Sequence, residues 1–386
     1  MSSKGQVRSS RVLRAIQDEE RSDVGLPKAT WLLLVVLFLA AAALALLLAS
    51  GKAAPTADGQ AAVPATSPSA SSGEFSEGTS SATRSQKSPA ATVTTGFLAS
   101  LAAKHSMSPA IVSSLPMPTA EAKTAGSYIA SDWHALKGTD QKELSFVKDP
   151  LDSSGAIVLQ MAYPKGSYSG SDTGGVGNMQ LAVYGQGKNR AILSYEVGFN
   201  KDFDFVKGGK LPGLYGGDTN AHCTGGKNDQ SCFSLRLMWR QKGAGEIYAY
   251  MPTYPKFCSD GPGTDKIYCH SDGFGASIHR GAFTFKSGVW NQVTQVVVLN
   301  SKPDLANGYL ALYAGEELAI ELTDVVFRVN TSVTATAMTF STFFGGSSAD
   351  YAATNDCWSY YRNFRFFSGD EASAADGATV QASYGD

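Results

Sequence analysis

The stretch Cys-Phe-Ser-Leu-Arg-Leu-Met-Trp-Arg at residues 232–240 alternates between two kinds of side chain. One set is apolar and comprises Phe233, Leu235, Leu237 and Trp239. The other set comprises Ser234, Arg236, Met238 and Arg240. Because successive side chains of a β-strand point to opposite faces of its sheet, this alternation predicts a strand with one face in a core.

A second strand is predicted at residues 247–251, where the apolar residues of Ile-Tyr-Ala-Tyr-Met alternate with two tyrosines. If residues 243–245 form a three-residue hairpin loop, Lys242 lies opposite Glu246 and Arg240 lies opposite Tyr248. This register places the apolar residues of both strands on one side. A slip by one residue would bury the tyrosines beside the tryptophan instead.

The other face of the predicted hairpin gathers five polar side chains without a carboxylate: Ser234, Arg236, Arg240, Tyr248 and Tyr250. An ordinary polar sheet face, with tyrosine as a strand former, is the alternative. The set nevertheless suits β-elimination on a uronic acid, because an arginine can neutralise the sugar carboxylate. A phenol or amine of lowered pKa can then take the C5 proton, and a phenol can protonate the departing O4.

The rest of the sequence predicts an all-β fold. Twelve short strands are predicted between residues 156 and 367, none of them within residues 199–231, and no convincing amphipathic helix separates them. Such a series implies a β-sandwich of two antiparallel sheets, and a jelly roll is the form expected. The domain is expected over residues 96–386, with its core at about 125–370 and a short helix or two within residues 97–114.

Three motifs resemble polysaccharide lyase family 14, which includes alginate and glucuronate lyases with a jelly-roll fold. They are Phe-Asp-Phe-Val-Lys-Gly-Gly-Lys-Leu-Pro-Gly-Leu at residues 203–214, Ser-Leu-Arg at 234–236 and Tyr-Ala-Tyr at 248–250. The Gly-Gly-Lys-Leu-Pro-Gly segment is also similar to fungal glucuronan lyases of family 20. The resemblance covers roughly residues 191–368. It implies a lyase that cleaves a uronic-acid polymer of the glucuronan or alginate type and leaves 4,5-unsaturated uronate ends, without a metal or organic cofactor.

The resemblance also implies roles for single residues. It makes Lys210 a catalytic or charge-neutralising group, Ser234 and Arg236 substrate-binding positions, and Tyr248 and Tyr250 the acid/base pair. As a hypothesis, Arg236 takes part in catalysis by neutralising the carboxylate. Two further residues are candidates for substrate binding from their place in the chain: Arg240, which an ordinary solvated arginine would also explain, and His222, for which a loop histidine without a role is the alternative.

The N-terminal part predicts a membrane anchor. Residues 31–48 form an uncharged apolar run long enough to span a bilayer, and the basic residues lie mainly before it. We therefore expect a cytoplasmic tail at residues 1–29, a transmembrane signal-anchor helix at 30–49 and a disordered stalk rich in Ser, Ala, Thr and Pro at 50–95. This arrangement is a single-pass type II protein with an extracellular or lumenal domain. A cleaved signal, which would release the protein, is the alternative.

The cysteines agree with an extracytoplasmic domain. Local disulfides are predicted between Cys223 and Cys232 and between Cys258 and Cys269, which leaves Cys357 unpaired and buried. Asn330 begins a glycosylation sequon. With five histidines and a formal charge of −2, neither a multi-histidine metal site nor nucleic-acid binding is expected. The expected partner is an acidic polysaccharide, and the expected state is a monomer.

Two other functions fit parts of the sequence. A glycoside hydrolase would use carboxylates along one strand, and Glu317 and Glu321 are spaced for this, although Ala319 stands at the middle position. A non-catalytic carbohydrate-binding module could hold an acidic glycan on the same aromatic and basic face. The combination of Lys210 with both tyrosines favours the enzyme.

Overall fold

A computed structural model describes residues 94–138, 142–169, 175–271, 273–346 and 348–384. The predicted tail, anchor helix and nearly all of the stalk lie outside these residues. Within them are two α-helices, α1 (Thr95–Lys104) and α2 (Gly126–Asp132). Neither helix of this part of the chain has the length and apolar character of a membrane span.

The strands of the described residues, in chain order, are β1 (Ser113–Ser114), β2 (Ala135–Lys137), β3 (Leu144–Lys148), β4 (Ile157–Tyr163), β5 (Val176–Leu181), β6 (Arg190–Phe199), β7 (Gly208–Gly217), β8 (Cys232–Arg240), β9 (Ala244–Tyr250), β10 (Ile267–Cys269), β11 (Ala276–Thr284), β12 (Trp290–Val298), β13 (Leu305–Ala306), β14 (Gly308–Ala314), β15 (Glu317–Val325), β16 (Ala335–Phe344), β17 (Cys357–Gly369) and β18 (Ala378–Thr379). Sheet I has the order β15-β14-β12-β6-β17-β4-β3, with β1 also paired to β17. Sheet II has the order β10-β11-β9-β8-β7-β16-β5-β2. The strand pairs are antiparallel, so the predicted all-β sandwich of two antiparallel sheets is confirmed.

The main core lies between the inner faces of the two sheets. The apolar set of β8 is buried there, and Trp239 packs with Phe199 from sheet I at 5.8 Å between ring centroids. On β6 the inward residues are Leu193, Tyr195 and Val197, whereas Ser194 and Glu196 point to the other face. Burying a large apolar side chain stabilises a fold by roughly 1.5–3 kcal/mol, so this alternation fixes which face of each sheet turns inward.

Helix α1 covers the outer face of sheet I. Its Leu98 and Leu101 pack on Ile192 of β6 and Val296 of β12. Thr94 caps the helix, because its hydroxyl accepts a hydrogen bond of 3.1 Å from the backbone N–H of Phe97. The expected short helix is therefore present and begins at Thr95, inside the segment predicted as stalk.

Strand β7 lies in a segment where no strand was predicted, and that prediction was wrong. Its glycines look like loop residues, but neighbouring aromatic rings occupy the space of the missing side chains. A Cβ on Gly209 would lie 2.0 Å from Trp239, and one on Gly216 would lie 2.1 Å from Phe233. Pro212 sits where the register of β7 and β8 shifts, which is where a sheet tolerates proline.

The β8–β9 hairpin differs from the predicted register. Tyr248 pairs with Arg236 rather than with Arg240, four residues away, and the turn consists of a 3₁₀ segment at Gln241–Gly243. Gly245 belongs to the strand because Phe283 fills the space beside it, where a Cβ would come within 2.3 Å of the ring. Since four is even, every side chain keeps its predicted face.

Both predicted disulfides are present, Cys223–Cys232 and Cys258–Cys269, and Cys357 is a buried free thiol. The last described residues pack beside the first disulfide. Ser383 forms a β-bridge with Thr253, and the Tyr384 hydroxyl donates a hydrogen bond of 2.5 Å to the carbonyl of Cys232.

Candidate active site

The outward face of sheet II brings six of the predicted site residues together. Lys210 comes from β7, Ser234, Arg236 and Arg240 come from β8, and Tyr248 and Tyr250 come from β9. The pairing of Arg236 with Tyr248, of Ser234 with Tyr250 and of Lys210 with Met238 sets them side by side. We call this group the cationic face.

Arg236 is a buried cation without a carboxylate partner among the described residues. Its side chain is 3% exposed, its Nη1 donates to Ser341 Oγ at 3.4 Å, and its Nε has no hydrogen-bond partner. Burial lowers the pKa of the guanidinium, yet an arginine stays charged in a protein. A buried charge without a counter-ion is unfavourable, so an anion bound beside Arg236 would be stabilised.

Lys210 lies next to Tyr248 and Arg236. Its Nζ is 3.7 Å from the centroid of the Tyr248 ring and donates to Met238 Sδ at 2.7 Å. Burial, followed by the charges of Arg236 and Arg240, lowers the pKa of Lys210 well below its usual value. The carboxylate of Glu246 favours the ammonium, but burial and the arginines outweigh it. This lysine therefore loses its proton more readily than an exposed lysine does.

The pKa of Tyr248 is shifted in the opposite direction, upwards. Its side chain is 7% exposed, and its hydroxyl donates a hydrogen bond to the backbone carbonyl of Phe274. Burial raises the pKa of this phenol, and nearby Tyr250 adds to the effect. The hydroxyl is therefore protonated, and its single proton is directed at the Phe274 carbonyl.

Tyr250 and Ser234 are more deeply buried and contact a loop. Tyr250 is 2% exposed, and its hydroxyl accepts a hydrogen bond of 3.0 Å from the N–H of Gly226. Ser234 is fully buried and donates to the carbonyl of Cys223 at 2.6 Å. Both side chains therefore hold residues 218–231, the loop between β7 and β8, against the sheet.

The expectation of a face without a carboxylate was wrong. Glu246 lies on it, fully buried, and accepts from Arg240 Nε at 2.8 Å, from Arg280 Nε at 2.7 Å and from Ser277 Oγ at 2.6 Å. Burial alone would raise the pKa of Glu246, but Arg240 and Arg280 hold it below its usual value. Alternation places Glu246 on the face of Tyr248 and Tyr250 in either register, and the true pairing shows its contact with Arg240.

The other predicted residues do not take part in the contacts described above. His222 is exposed in the loop of residues 218–231, near Asp229. Glu317 and Glu321 are exposed on β15, the edge strand of sheet I, away from the cationic face. The glycoside-hydrolase alternative therefore finds no support in this geometry. Asn330 is exposed in a turn, and its glycosylation stays a prediction.

Comparison with known proteins identifies the family. Residues 152–364, more than half of the chain, match the family described as Polysaccharide lyase 14. The chain belongs to polysaccharide lyase family 14. The predicted family is thereby confirmed, and the protein is a polysaccharide lyase.

Solved structures of lyases resemble this family 14 member. The marine alginate lyase from Aplysia kurodai is 33% identical, with a TM-score of 0.56 and coverage of 67% of this chain and 100% of that chain. The alginate lyase Aly36B in complex with an alginate trisaccharide is 21% identical, with a TM-score of 0.50 over 67% of this chain and 98% of that one, and shares the fold. The glucuronan lyase of Trichoderma reesei is more distant, at 12% identity and a TM-score of 0.40 over 66% and 96%. No curated protein matches the sequence.

Proposed function

We propose that this lyase cleaves a uronic-acid polymer of the alginate type by β-elimination. The observation that carries the proposal is Arg236, a buried cation whose Nε lacks a partner and which no carboxylate of the described residues neutralises. The carboxylate of a uronate supplies the missing anion, and a planar guanidinium can bind a carboxylate through a bidentate pair of hydrogen bonds. The 33% identity with the Aplysia kurodai alginate lyase supports alginate as the first polymer to test.

The contacts of the cationic face support one proposal for the two proton transfers. The neutral amine of Lys210 takes the C5 proton, and Arg236 stabilises the negative charge that spreads onto the uronate carboxylate. The electron pair of the broken C5–H bond forms the C4–C5 double bond as the C4–O4 bond breaks. Tyr248 breaks its hydrogen bond to the Phe274 carbonyl and gives that hydroxyl proton to O4, so the products are a 4,5-unsaturated uronate end and a free hydroxyl end.

The same contacts allow the site to reset. After one turnover Lys210 carries an extra proton and Tyr248 lacks one. The Nζ of Lys210 lies 3.7 Å from the centroid of the Tyr248 ring, over its face and not at its hydroxyl, so we propose that water carries the proton from Lys210 back to Tyr248. No other residue has to supply or remove a proton.

This assignment separates the two tyrosines. Tyr248 borders Lys210 and is the acid, whereas Tyr250 and Ser234 support the loop of residues 218–231. Arg240 forms an ion pair with Glu246. It therefore adds positive charge to the cationic face rather than offering the substrate a free guanidinium.

The test is the ultraviolet absorbance of the 4,5-unsaturated uronate. Polymannuronate, polyguluronate and glucuronan are each incubated with the protein, with Tyr248→Phe and with Tyr250→Phe. We expect product from an alginate polymer and a loss of at least about a hundredfold in kcat for Tyr248→Phe, the range for a lost general acid. Tyr250→Phe should stay within about tenfold of the parent. A parent protein that forms no unsaturated product from any of the three polymers contradicts the proposal.

We propose further that the domain is a jelly roll held outside the cytoplasm by the predicted N-terminal anchor and stalk. Two local disulfides support an oxidising compartment. Protease protection of the N-terminal tail in sealed membranes, with the domain accessible from outside, is the expected result.

A further inference from the structure

Phe274 is an exposed aromatic side chain at the rim of the cationic face. It lies in the loop between β10 and β11, and its side chain is 47% exposed. The other large apolar side chains of the described residues with comparable exposure are aliphatic: Ile111, Val112, Leu136 and Val289. Single exposed apolar residues are common on proteins, so exposure alone indicates nothing.

The contacts of Phe274 distinguish it. Its backbone carbonyl accepts the hydrogen bond from the Tyr248 hydroxyl. Its ring lies against Gly226, where an added Cβ would come within 3.0 Å of Cε1, and the N–H of Gly226 donates to Tyr250. The Asn228 side chain also donates to the carbonyl of Gly273 at 3.1 Å, so the loops on both sides are tied together.

These contacts hold the backbone of Phe274 beside the proton donor and its ring against Gly226, while 47% of the residue stays exposed to solvent. The rest of the cationic face offers charges and hydroxyls, which recognise the carboxylate and hydroxyl groups of a uronate. A pyranose ring also has a face of C–H groups, and that face is best buried against a flat apolar surface.

We propose that Phe274 is a stacking platform for a sugar unit of the polyuronate adjoining the unit that is cleaved. The inference rests on the proposed function, because it takes Tyr248 as the group that protonates O4. Since the backbone of Phe274 holds the Tyr248 hydroxyl, a sugar stacked on the ring is placed relative to the proton donor. Phe274 is thus a substrate-binding residue, while Lys210, Arg236 and Tyr248 carry out the chemistry.

The test compares Phe274→Ala with Phe274→Trp and with Val289→Ala, a matched control that is 45% exposed and precedes a strand of sheet I. For Phe274→Ala we expect KM for the polymer to rise about tenfold, equivalent to about 1.4 kcal/mol, with kcat within about threefold of the parent. Phe274→Trp should restore KM, because a larger aromatic ring retains the stacking surface. Val289→Ala should leave both constants unchanged.

Two results would overturn the inference. One is an unchanged KM in Phe274→Ala. The other is a fall in kcat that Phe274→Trp does not restore, which would mean that the side chain only supports the loop. If the parent protein cleaves no polyuronate, the proposed function fails instead. In that case, calorimetry measures the binding of the same polymers to the parent and to Phe274→Ala and tests the stacking separately. We expect Phe274→Ala to bind about tenfold more weakly, and equal binding would contradict the inference.

Discussion

Two arginines on opposite sheets show two ways of placing a cation in this sandwich. Arg362 of β17 in sheet I binds three carboxylates, those of Asp149, Asp152 and Glu196, and stacks 4.1 Å from the ring of Trp290. Arg236 of sheet II is 3% exposed and has a hydroxyl neighbour but no carboxylate among the described residues. The charge of Arg362 is balanced by carboxylates of the protein itself, whereas that of Arg236 is not balanced by a carboxylate of the described residues.

The difference indicates what each position contributes. A buried ion pair with several partners fixes the geometry of a sheet, and removing one partner leaves uncompensated charge. An arginine without a counter-ion reduces stability in the free protein and becomes favourable only when an anion arrives. Under the proposed function, stability depends on Arg362 and activity on Arg236, and substitutions can test this separation.

The largest expected effect is on the activity of Arg236→Met. We expect kcat/KM to fall about a thousandfold, the scale for losing one group that stabilises transition-state charge. The melting temperature should stay the same or rise, because an unpaired buried charge is replaced by an apolar side chain. Absorbance assays and thermal unfolding measure the two quantities. If Arg236→Met lost stability but kept its activity within tenfold of the parent, Arg236 would be a structural residue and the comparison would be wrong.

Arg362→Met is the matched counterpart, with the opposite result expected. Three carboxylates would lose their shared cation, which should reduce the free energy of unfolding by about 3–5 kcal/mol. Below the unfolding transition, kcat/KM should remain within about threefold of the parent, since this group lies on the other sheet. Chemical denaturation measures the stability, and an unchanged midpoint would show that the carboxylates do not depend on this arginine.

The next prediction concerns how the stability contributed by Lys210 depends on pH. Its folded-state pKa is lowered, by burial first and then by the two arginines, so between that pKa and the unfolded value the unfolded chain binds more protons. Stability therefore rises with pH across this window. Lys210→Met should raise the melting temperature below the folded pKa, and the gain should fade as pH approaches about 10.4, the unfolded lysine pKa.

Activity has the matching dependence on pH. If the neutral amine is the base, kcat/KM of the parent rises as pH passes upward through the lowered pKa of Lys210. Lys210→Arg, which keeps the positive charge but does not deprotonate, should be inactive over the whole range. Substantial activity in Lys210→Arg would mean that this position supplies charge alone.

The smallest effect is expected for Ser234→Ala. The hydroxyl is fully buried and bound to the carbonyl of Cys223, so its loss should reduce stability by about 1–3 kcal/mol and kcat/KM by only a few fold. The family resemblance instead makes this serine a substrate contact. A rise in KM of tenfold or more at unchanged stability would favour the substrate contact.

Much of this site could be predicted because the alternation of apolar and polar residues along a strand determines which side chains share a face of the sheet. The apolar set of β8 fixed which side of sheet II faces the core, and an error of four residues in the hairpin register left every face correct. That error did hide the ion pair of Glu246 with Arg240, because contacts between strands depend on register and not on alternation. The same register error paired Arg240 with Tyr248, so its ion pair with Glu246 was not predicted.

Strand β7 and the two loops over the tyrosines could not be predicted for a different reason. Glycine carries no side chain from which an alternation can be seen, and the rings that fill the space at Gly209 and Gly216 belong to β8. The contacts of Tyr248 with Phe274 and of Tyr250 with Gly226 join segments far apart in a loop-rich sequence. Such contacts follow from the assembled sandwich.

The Tyr384–Cys232 hydrogen bond also bears on proteolysis. Ser383 and Tyr384 are held against Thr253 and the Cys223–Cys232 disulfide, which anchors the loop that contacts Ser234 and Tyr250. An exopeptidase that trimmed the chain back to residue 379 would therefore loosen that loop without removing any residue of the cationic face. The enzyme could lose activity through a cut made well away, in sequence, from its chemistry.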